Sequence, residues 1–301
     1  MSRNAVTVLL FVVIVVVWGL TWFAIHLQLG TVPMEVSILW RFTLAAVVLW
    51  GALAATGRLR RARLADHRWF FVLGVTLFSA NFIFMYSATW FVASGVVSVV
   101  FTMATVFNAL NQWLFLRRNP SIRTLAGAGL GLGGIALLFA HDIAGAGLGG
   151  TTVIGIALAL GGTYLFSLGN LASLRATAAG LDLPNAVARG MTWGAVLLAA
   201  VVLARGERFT IDLSPVYLAS LVYLAVPGSV IGFLAYLSLV SRVGADKAAY
   251  ATVLFPVLAL AVSTAFEGYG WTPEAFVGLA LVLAGNVVVF ARFPGSRPAA
   301  A

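Results

Sequence analysis

The sequence predicts an all-α polytopic membrane protein, with ten transmembrane helices arranged as two five-helix repeats of inverted topology. Three observations lead there. Apolar residues make up 62% of the 301-residue chain and charged residues 9%, with a mean hydropathy of +1.04; soluble domains sit near roughly 45–50% and about 25%. Uncharged stretches long enough to cross a bilayer recur from one end to the other. The chain also aligns with itself at an offset of about 150 residues.

The first span follows "MSRN". Its uncharged run, Ala5 to Ile25, has 21 residues, more than the roughly 7–15 of a signal-peptide core. About 20 residues at 1.5 Å each cross a 30 Å hydrocarbon layer. Pro33 opens the second span. Trp69 to Leu116 is uncharged over 48 residues and must hold two spans, with "ASG" at 93–95 as the turn. A glycine-rich run and five further stretches complete the series. The expected spans are 5–27, 34–56, 69–91, 95–116, 122–140, 153–173, 185–204, 216–239, 247–266 and 274–292. Strands of a membrane barrel would be half as long and strictly alternating.

Of the 18 basic residues, 14 fall in loops on the N-terminal side of the ten-span arrangement, against Arg205 and Arg208 on the other. Lys and Arg accumulate in cytoplasmic loops, so both termini are expected to be cytoplasmic. On this reading the net charge of +9 reports orientation, and no nucleic-acid partner is expected. The chain has no Cys, which removes thiolate nucleophiles and Cys-ligated metals. His26, His67 and His141 lie at span ends, and no acid lies in the central part of a span. HExxH, GxSxG and Walker A sequences are absent. An enzyme therefore has nothing to work with, and neither cofactor nor metal is expected.

At an offset of 151, Pro33 meets Pro184, Thr105 meets Pro256, Gly127 meets Gly278, Gly134 meets Gly285 and Phe139 meets Phe290. At 150, "YSATW" from Tyr86 falls on "YLSLV" from Tyr236. The expected units are 1–141 and 142–301. Five spans in each would invert the second copy, the arrangement many transporters use for alternating access.

"WGLTW" in the first span, "PMEVSILWRF" in the second, the Ala/Ser-rich opening of the fourth and "LFPVLALAV" in the ninth resemble the drug/metabolite transporter superfamily, in its ten-helix EamA-type branch. The resemblance covers nearly the whole chain. It implies a bacterial inner-membrane exporter of amino acids and other metabolites, aromatic amino acids among them. It also implies a cavity lined by spans one, three, four, six, eight and nine, with five and ten peripheral.

On those inner spans the candidate substrate-binding residues are Trp18 and Thr21; Phe78, Asn81 and Met85; Ser98, Phe101 and Thr102; Tyr164 and Ser167; and Ser229, Tyr236 and Tyr250. Trp18 and Thr21 share a helix face, and an amide such as Asn81 inside a span needs partners. Each of these residues could instead pack between helices. Arg41 and Arg189 enter spans two and seven as gating or structural cations, with direct binding of a substrate carboxylate as the alternative for Arg41 and snorkelling for Arg189. Pro256 is a candidate hinge. The glycines Gly127, Gly129, Gly131, Gly133 and Gly134 of span five allow close helix approach, either against its repeat-related helix or between protomers. A monomer is expected, with a dimer as the alternative.

The expected function is export of small metabolites, amino acids with aromatic or apolar side chains foremost, by alternating access. The partners are the small-molecule substrate and membrane lipids. The alternatives are a drug or other metabolite exporter and, from a different class, a non-transporting scaffold or sensor.

Overall fold

The computed structural model describes residues 3–117, 119–140, 150–243 and 250–290. The boundary expected at 141/142 lies outside them. Among the described residues all regular structure is helical. In chain order the helices are α1 (Arg3–His26), α2 (Met34–Ala55), α3 (His67–Phe78), α4 (Ala80–Ala88), α5 (Ser94–Phe101), α6 (Ala104–Leu116), α7 (Ile122–Leu138), α8 (Thr151–Ala178) and α9 (Leu183–Ala204). Then come α10 (Pro215–Tyr223), a π-helical segment (Leu224–Ile231), α11 (Gly232–Val243), α12 (Tyr250–Phe266) and α13 (Pro273–Phe290).

The starts follow local chemistry. Pro33 precedes α2 with φ −52° and ψ 136°. Ser121, Asp182 and Ser214 each accept a hydrogen bond from the backbone N–H three residues on, at the starts of α7, α9 and α10. Such caps satisfy amides that the helix itself leaves bare.

The expectation of ten membrane-crossing helices is corrected. Each expected stretch contains helix among the described residues, but only seven apolar helical segments there are long enough to cross: Asn4–His26, Met34–Ala55, Leu64–Ala88, Ser94–Leu116, Thr151–Ala178, Leu183–Ala204 and Pro215–Tyr236. Ile122–Leu138, Leu254–Phe266 and Pro273–Val289 are shorter, at 10–17 residues. At 1.5 Å per residue a 17-residue helix reaches about 25 Å, short of a 30 Å core. In α7 the uncharged run continues to Phe139, past the end of the helix at Leu138. The two-times-five inverted architecture, which needs ten crossings, falls with the count. The fold is all-α and polytopic, with about seven long apolar helices. An odd number of crossings ends a chain on the face opposite its start, so the placement of both termini on the cytoplasmic side is overturned as well.

Large apolar side chains cover the outside: Val8, Leu9, Val12 and Val16 on α1, Leu125 and Leu132 on α7, Phe276 and Val277 on α13. Between helices in lipid the association comes from packing and hydrogen bonds, since lipid tails are as apolar as leucine. The interior has both. Phe42, Phe70, Phe78, Tyr86 and Phe255 are fully buried, and α1 packs on α12, α4 on α8, and α9 on α2 and α3. The tightest seam joins α7 to α13. A Cβ built on Gly134 would stand 2.6 Å from the Gly278 oxygen, and one on Gly127 would stand 2.6 Å from the Gly285 oxygen. The glycine face of α7 is thus seated against α13 of the same chain, and the contact runs antiparallel.

Four places interrupt or strain the inner helices. At Ser79, with φ −141° and ψ −82°, α3 stops and α4 begins. The Ser79 hydroxyl donates to the Gly74 carbonyl, 2.8 Å. At Ser229, 150 residues later, the hydroxyl donates to the Leu224 carbonyl, also 2.8 Å, within the π-helical segment that holds Pro227. Each serine bonds a carbonyl five residues back, beyond the reach of a regular α-helical ladder. Thr102 and Met103 form a tight turn between α5 and α6. Pro256 is buried inside α12.

Candidate functional site

The breaks surround a cavity in the middle of the bundle. Its lining is Trp18, Thr21, Trp22 and Ile25 from α1, Arg41 from α2, Leu77 from α3, Asn81, Phe82 and Met85 from α4, Phe101 from α5, Phe166 from α8, Gly228 from the π-helical segment, Phe233 from α11 and Phe255 from α12. Counted as the space that water centres can occupy, its volume is about 60 Å³. That is room for several waters, at roughly 10–15 Å³ each on this measure. Neither α7 nor α13 contributes a lining residue.

The rings brace one another. Trp18 meets Phe233 edge-on at 5.9 Å and lies 5.3 Å from Tyr236. Trp22 meets Phe101 at 5.3 Å and stacks with Phe255 at 6.3 Å. Phe101 meets Phe166 at 4.6 Å. The Trp18 ring is fixed further by its Nε1–H, which donates to the Gly228 carbonyl at 3.2 Å. A Cβ on Gly232 would fall 2.4 Å from that nitrogen, so only glycine lets the indole in.

The polar groups are few. The Thr21 hydroxyl donates to the Val17 carbonyl of its own helix, 2.8 Å, while still facing the cavity. The same carbonyl accepts the Tyr223 hydroxyl from α10, 2.9 Å. Asn81 is buried; its Nδ2 donates to the Gly162 carbonyl at 3.4 Å, and its Oδ1 has no partner among the described residues. Arg41 is buried too, with Nε donating to the Ser229 hydroxyl at 3.2 Å. Its guanidinium carbon lies 4.2 Å from the Phe82 ring centre and 5.2 Å from that of Phe42. Nη1 has no hydrogen-bond partner among the described residues. The acid nearest in sequence, Glu35, turns instead to Arg205, at 3.0 Å.

Of the residues expected to bind substrate, Trp18, Thr21, Asn81, Met85 and Phe101 line the cavity. Others stand behind it. Phe78 is a fully buried packing residue against Phe42 and Phe233. Ser98 and Thr102 bond the carbonyls of Gly95 and Val99 in their own helix. Ser167 accepts from Asn111 Nδ2 at 2.8 Å, Tyr164 packs on Phe107, and Ser229 orients Arg41. Tyr236 braces Trp18, and the side chain of Tyr250 lies outside the described residues. Arg189 reaches the Arg60 and Asn185 carbonyls and lies over Trp50 and Phe70, the posture of a snorkelling cation.

Sequence reasoning passed over Ile25, Leu77, Phe166, Gly228 and Phe255 as liners, because in a chain this apolar nothing in the sequence marks which further rings and methyls face inward. Another omission is Glu267, just past α12. Its buried carboxylate accepts from the Ser94 N–H (2.8 Å) and hydroxyl and from the Ser263 hydroxyl (2.7 Å), with His26 Nδ1 at 3.7 Å. The start of α5 and the ends of α1 and α12 are thereby held together.

The model of the EamA-like transporter family matches this chain twice, over residues 5–140 and 153–291. An uncharacterized transporter of Bacillus subtilis, YvbV, is 25% identical over 297 residues, covering 98% of this chain and 94% of that one. A probable terminal-alkyne amino-acid exporter of Streptantibioticus cattleyicolor is 30% identical over 291 residues, covering 95% and 94%. A crystal structure with 21% identity superposes with a TM-score of 0.66 over 95% of this chain and 96% of that one, a likeness of fold. Matched along nearly its whole length, the chain belongs to the EamA-like transporter family: it is a multi-pass transporter of small metabolites and not an enzyme.

Proposed function

We propose that the protein exports amino acids with apolar or aromatic side chains across a bacterial inner membrane by alternating access. The observation that carries this reading is the cavity wall. Trp18, Trp22, Phe82, Phe101, Phe166, Phe233 and Phe255 are half of its fourteen lining residues, and ring faces and edges suit a flat or apolar body. A charged side chain would have to shed its hydration against a wall whose one charged residue is Arg41. A relative 30% identical over 291 residues, a probable terminal-alkyne amino-acid exporter, agrees with the substrate class. The motion is supported by the helix interruptions at Ser79, at Thr102–Met103 and at 224–231, all on elements that wall or back the cavity. We take 1–141 and 142–301 as the two moving units, close to the two family matches.

The test is counterflow in proteoliposomes with radiolabelled amino acids. Phenylalanine, tryptophan, tyrosine and methionine should exchange faster than aspartate, glutamate or lysine. Faster exchange of the charged set would refute the substrate class, and exchange of no amino acid would move the function to other metabolites.

A further inference from the structure

We propose that Arg41 and Asn81 form the two poles of an α-amino-acid site, the Arg41 guanidinium taking the carboxylate and the Asn81 amide oxygen taking the ammonium. This rests on the amino-acid reading above and assigns residues to it.

Arg41 has no salt bridge to an acid among the described residues. It is 2% exposed in the cavity wall. Glu35 lies against Arg205 and Glu267 accepts from Ser94 and Ser263, so neither of those acids is left for it. Burying a charge without a counter-charge is costly. The faces of Phe82 and Phe42 offset part of that cost, and they hold the guanidinium plane. Ser229 fixes the third side. Its proton goes to the Leu224 carbonyl, which leaves its oxygen free to accept from Arg41 Nε. The head group is therefore oriented with an unpartnered Nη1, beside Gly228, whose missing side chain leaves Arg41 Nη2 3.9 Å from where a Cβ would stand. A planar fork held in this way matches a carboxylate.

Asn81 supplies the opposite polarity. The Gly162 carbonyl can only accept, so the amide nitrogen must face it and the oxygen must face elsewhere. That oxygen is buried, unpartnered among the described residues, and belongs to a cavity-lining side chain. An acceptor with both lone pairs bare suits an ammonium group. An unpartnered donor pole, an unpartnered acceptor pole and an aromatic wall together describe a zwitterion with an apolar side chain. An amine without a carboxylate would add a second positive charge beside Arg41. An acid without an ammonium would leave the Asn81 oxygen bare.

The experiment measures how well phenylalanine, phenethylamine and 3-phenylpropionate compete in phenylalanine counterflow by the full-length protein. Their binding is also followed in detergent by tryptophan fluorescence, since Trp18 and Trp22 lie in the wall. In the wild-type protein phenylalanine should compete at least roughly tenfold better than either analogue, the size expected for loss of one charge-assisted hydrogen bond. Arg41→Gln should weaken phenylalanine by roughly 10- to 100-fold and narrow its lead over phenethylamine, with Arg41→Lys intermediate. Asn81→Leu, which keeps the branching at Cγ and removes the amide, should narrow the lead over 3-phenylpropionate. A purely structural role would lower the yield of folded protein and leave these ratios unmoved. If the wild-type protein exchanges phenylalanine but treats the analogues equally, or if the variants keep wild-type ratios, the assignment is overturned while the transport reading stands. If the wild-type protein neither binds nor exchanges any amino acid, both fall.

Discussion

Replacing Gly278 by alanine should loosen the protein without altering what each folded molecule transports. The new methyl carbon would stand 2.6 Å from the Gly134 oxygen, 2.6 Å from the Leu138 nitrogen and 2.9 Å from the Leu138 Cα. All three are backbone atoms of α7, so no rotamer change relieves them. Restoring ordinary contact near 3.4 Å requires α7 and α13 to part by about 0.8 Å (3.4 minus 2.6) at that point. A gap of that size forfeits a quarter to a half of each neighbouring contact, and overpacking of this kind costs about 1–3 kcal/mol. Alanine's better helix propensity returns up to about 1 kcal/mol. The expected net loss is therefore up to about 2 kcal/mol, which places Gly278→Ala about 1–3 kcal/mol below an alanine introduced where nothing is crowded. Gly129 and Gly133, on the same helix α7, have nothing within 4 Å of a built Cβ; there alanine should be neutral or stabilise by up to about 1 kcal/mol. Thermal unfolding of the detergent-purified protein gives the comparison, and counterflow per monodisperse molecule gives the function. Gly134→Ala combined with Gly278→Ala should cost less than the sum, since the second methyl enters a seam already opened. A Gly278→Ala protein as stable as Gly129→Ala, or a Gly129→Ala protein as damaged as Gly278→Ala, would refute the reasoning.

Thr21→Val should leave counterflow within about twofold of wild type, because the hydroxyl is already committed to Val17; a larger loss per folded molecule would show that it does more than bond its own helix. Trp18→Phe keeps a ring but leaves the Gly228 carbonyl without its indole donor, and should lower phenylalanine exchange several-fold, about 1 kcal/mol, with normal yield. Arg205→Gln strands the buried Glu35 carboxylate and should reduce the thermal stability more than Glu35→Gln does, because a neutral amide at position 35 tolerates burial better than an unpaired charge. Equal losses in the two proteins would show that the pair is immaterial.

The helices were legible in the sequence because runs free of charge are helical in a membrane, and Pro33, Pro184 and the cap residues mark where they begin. Their lengths were not legible to the same degree. An uncharged run does not show where the hydrogen-bond ladder stops, and Phe139, read as part of a span, lies beyond the end of α7. In the site, polar residues found by spacing separated into two groups that no pattern distinguishes. Asn81 and Thr21 reach the cavity, while Ser98, Thr102 and Ser167 turn to carbonyls or amides behind it. Arg41 was recognised as a cation deep in a span, but its seat between two phenyl rings depends on Phe82 from another helix. Phe255 and Phe166 were unremarkable in a chain with 21 phenylalanines, since only tertiary packing decides which rings face inward.

The Val17 carbonyl, which takes the hydroxyls of both Thr21 and Tyr223, has a kinetic consequence. One donor belongs to α1 itself and travels with it; the other belongs to α10. If α1 slides along α10, the Tyr223 bond breaks, but the carbonyl keeps its local donor and is never bare in a dry interior. The joint therefore grips at rest and releases without an unsolvated intermediate. Removing the Thr21 hydroxyl would therefore touch the rate at which the bundle changes shape and not how tightly a ligand is held, and by no more than the twofold expected of its counterflow.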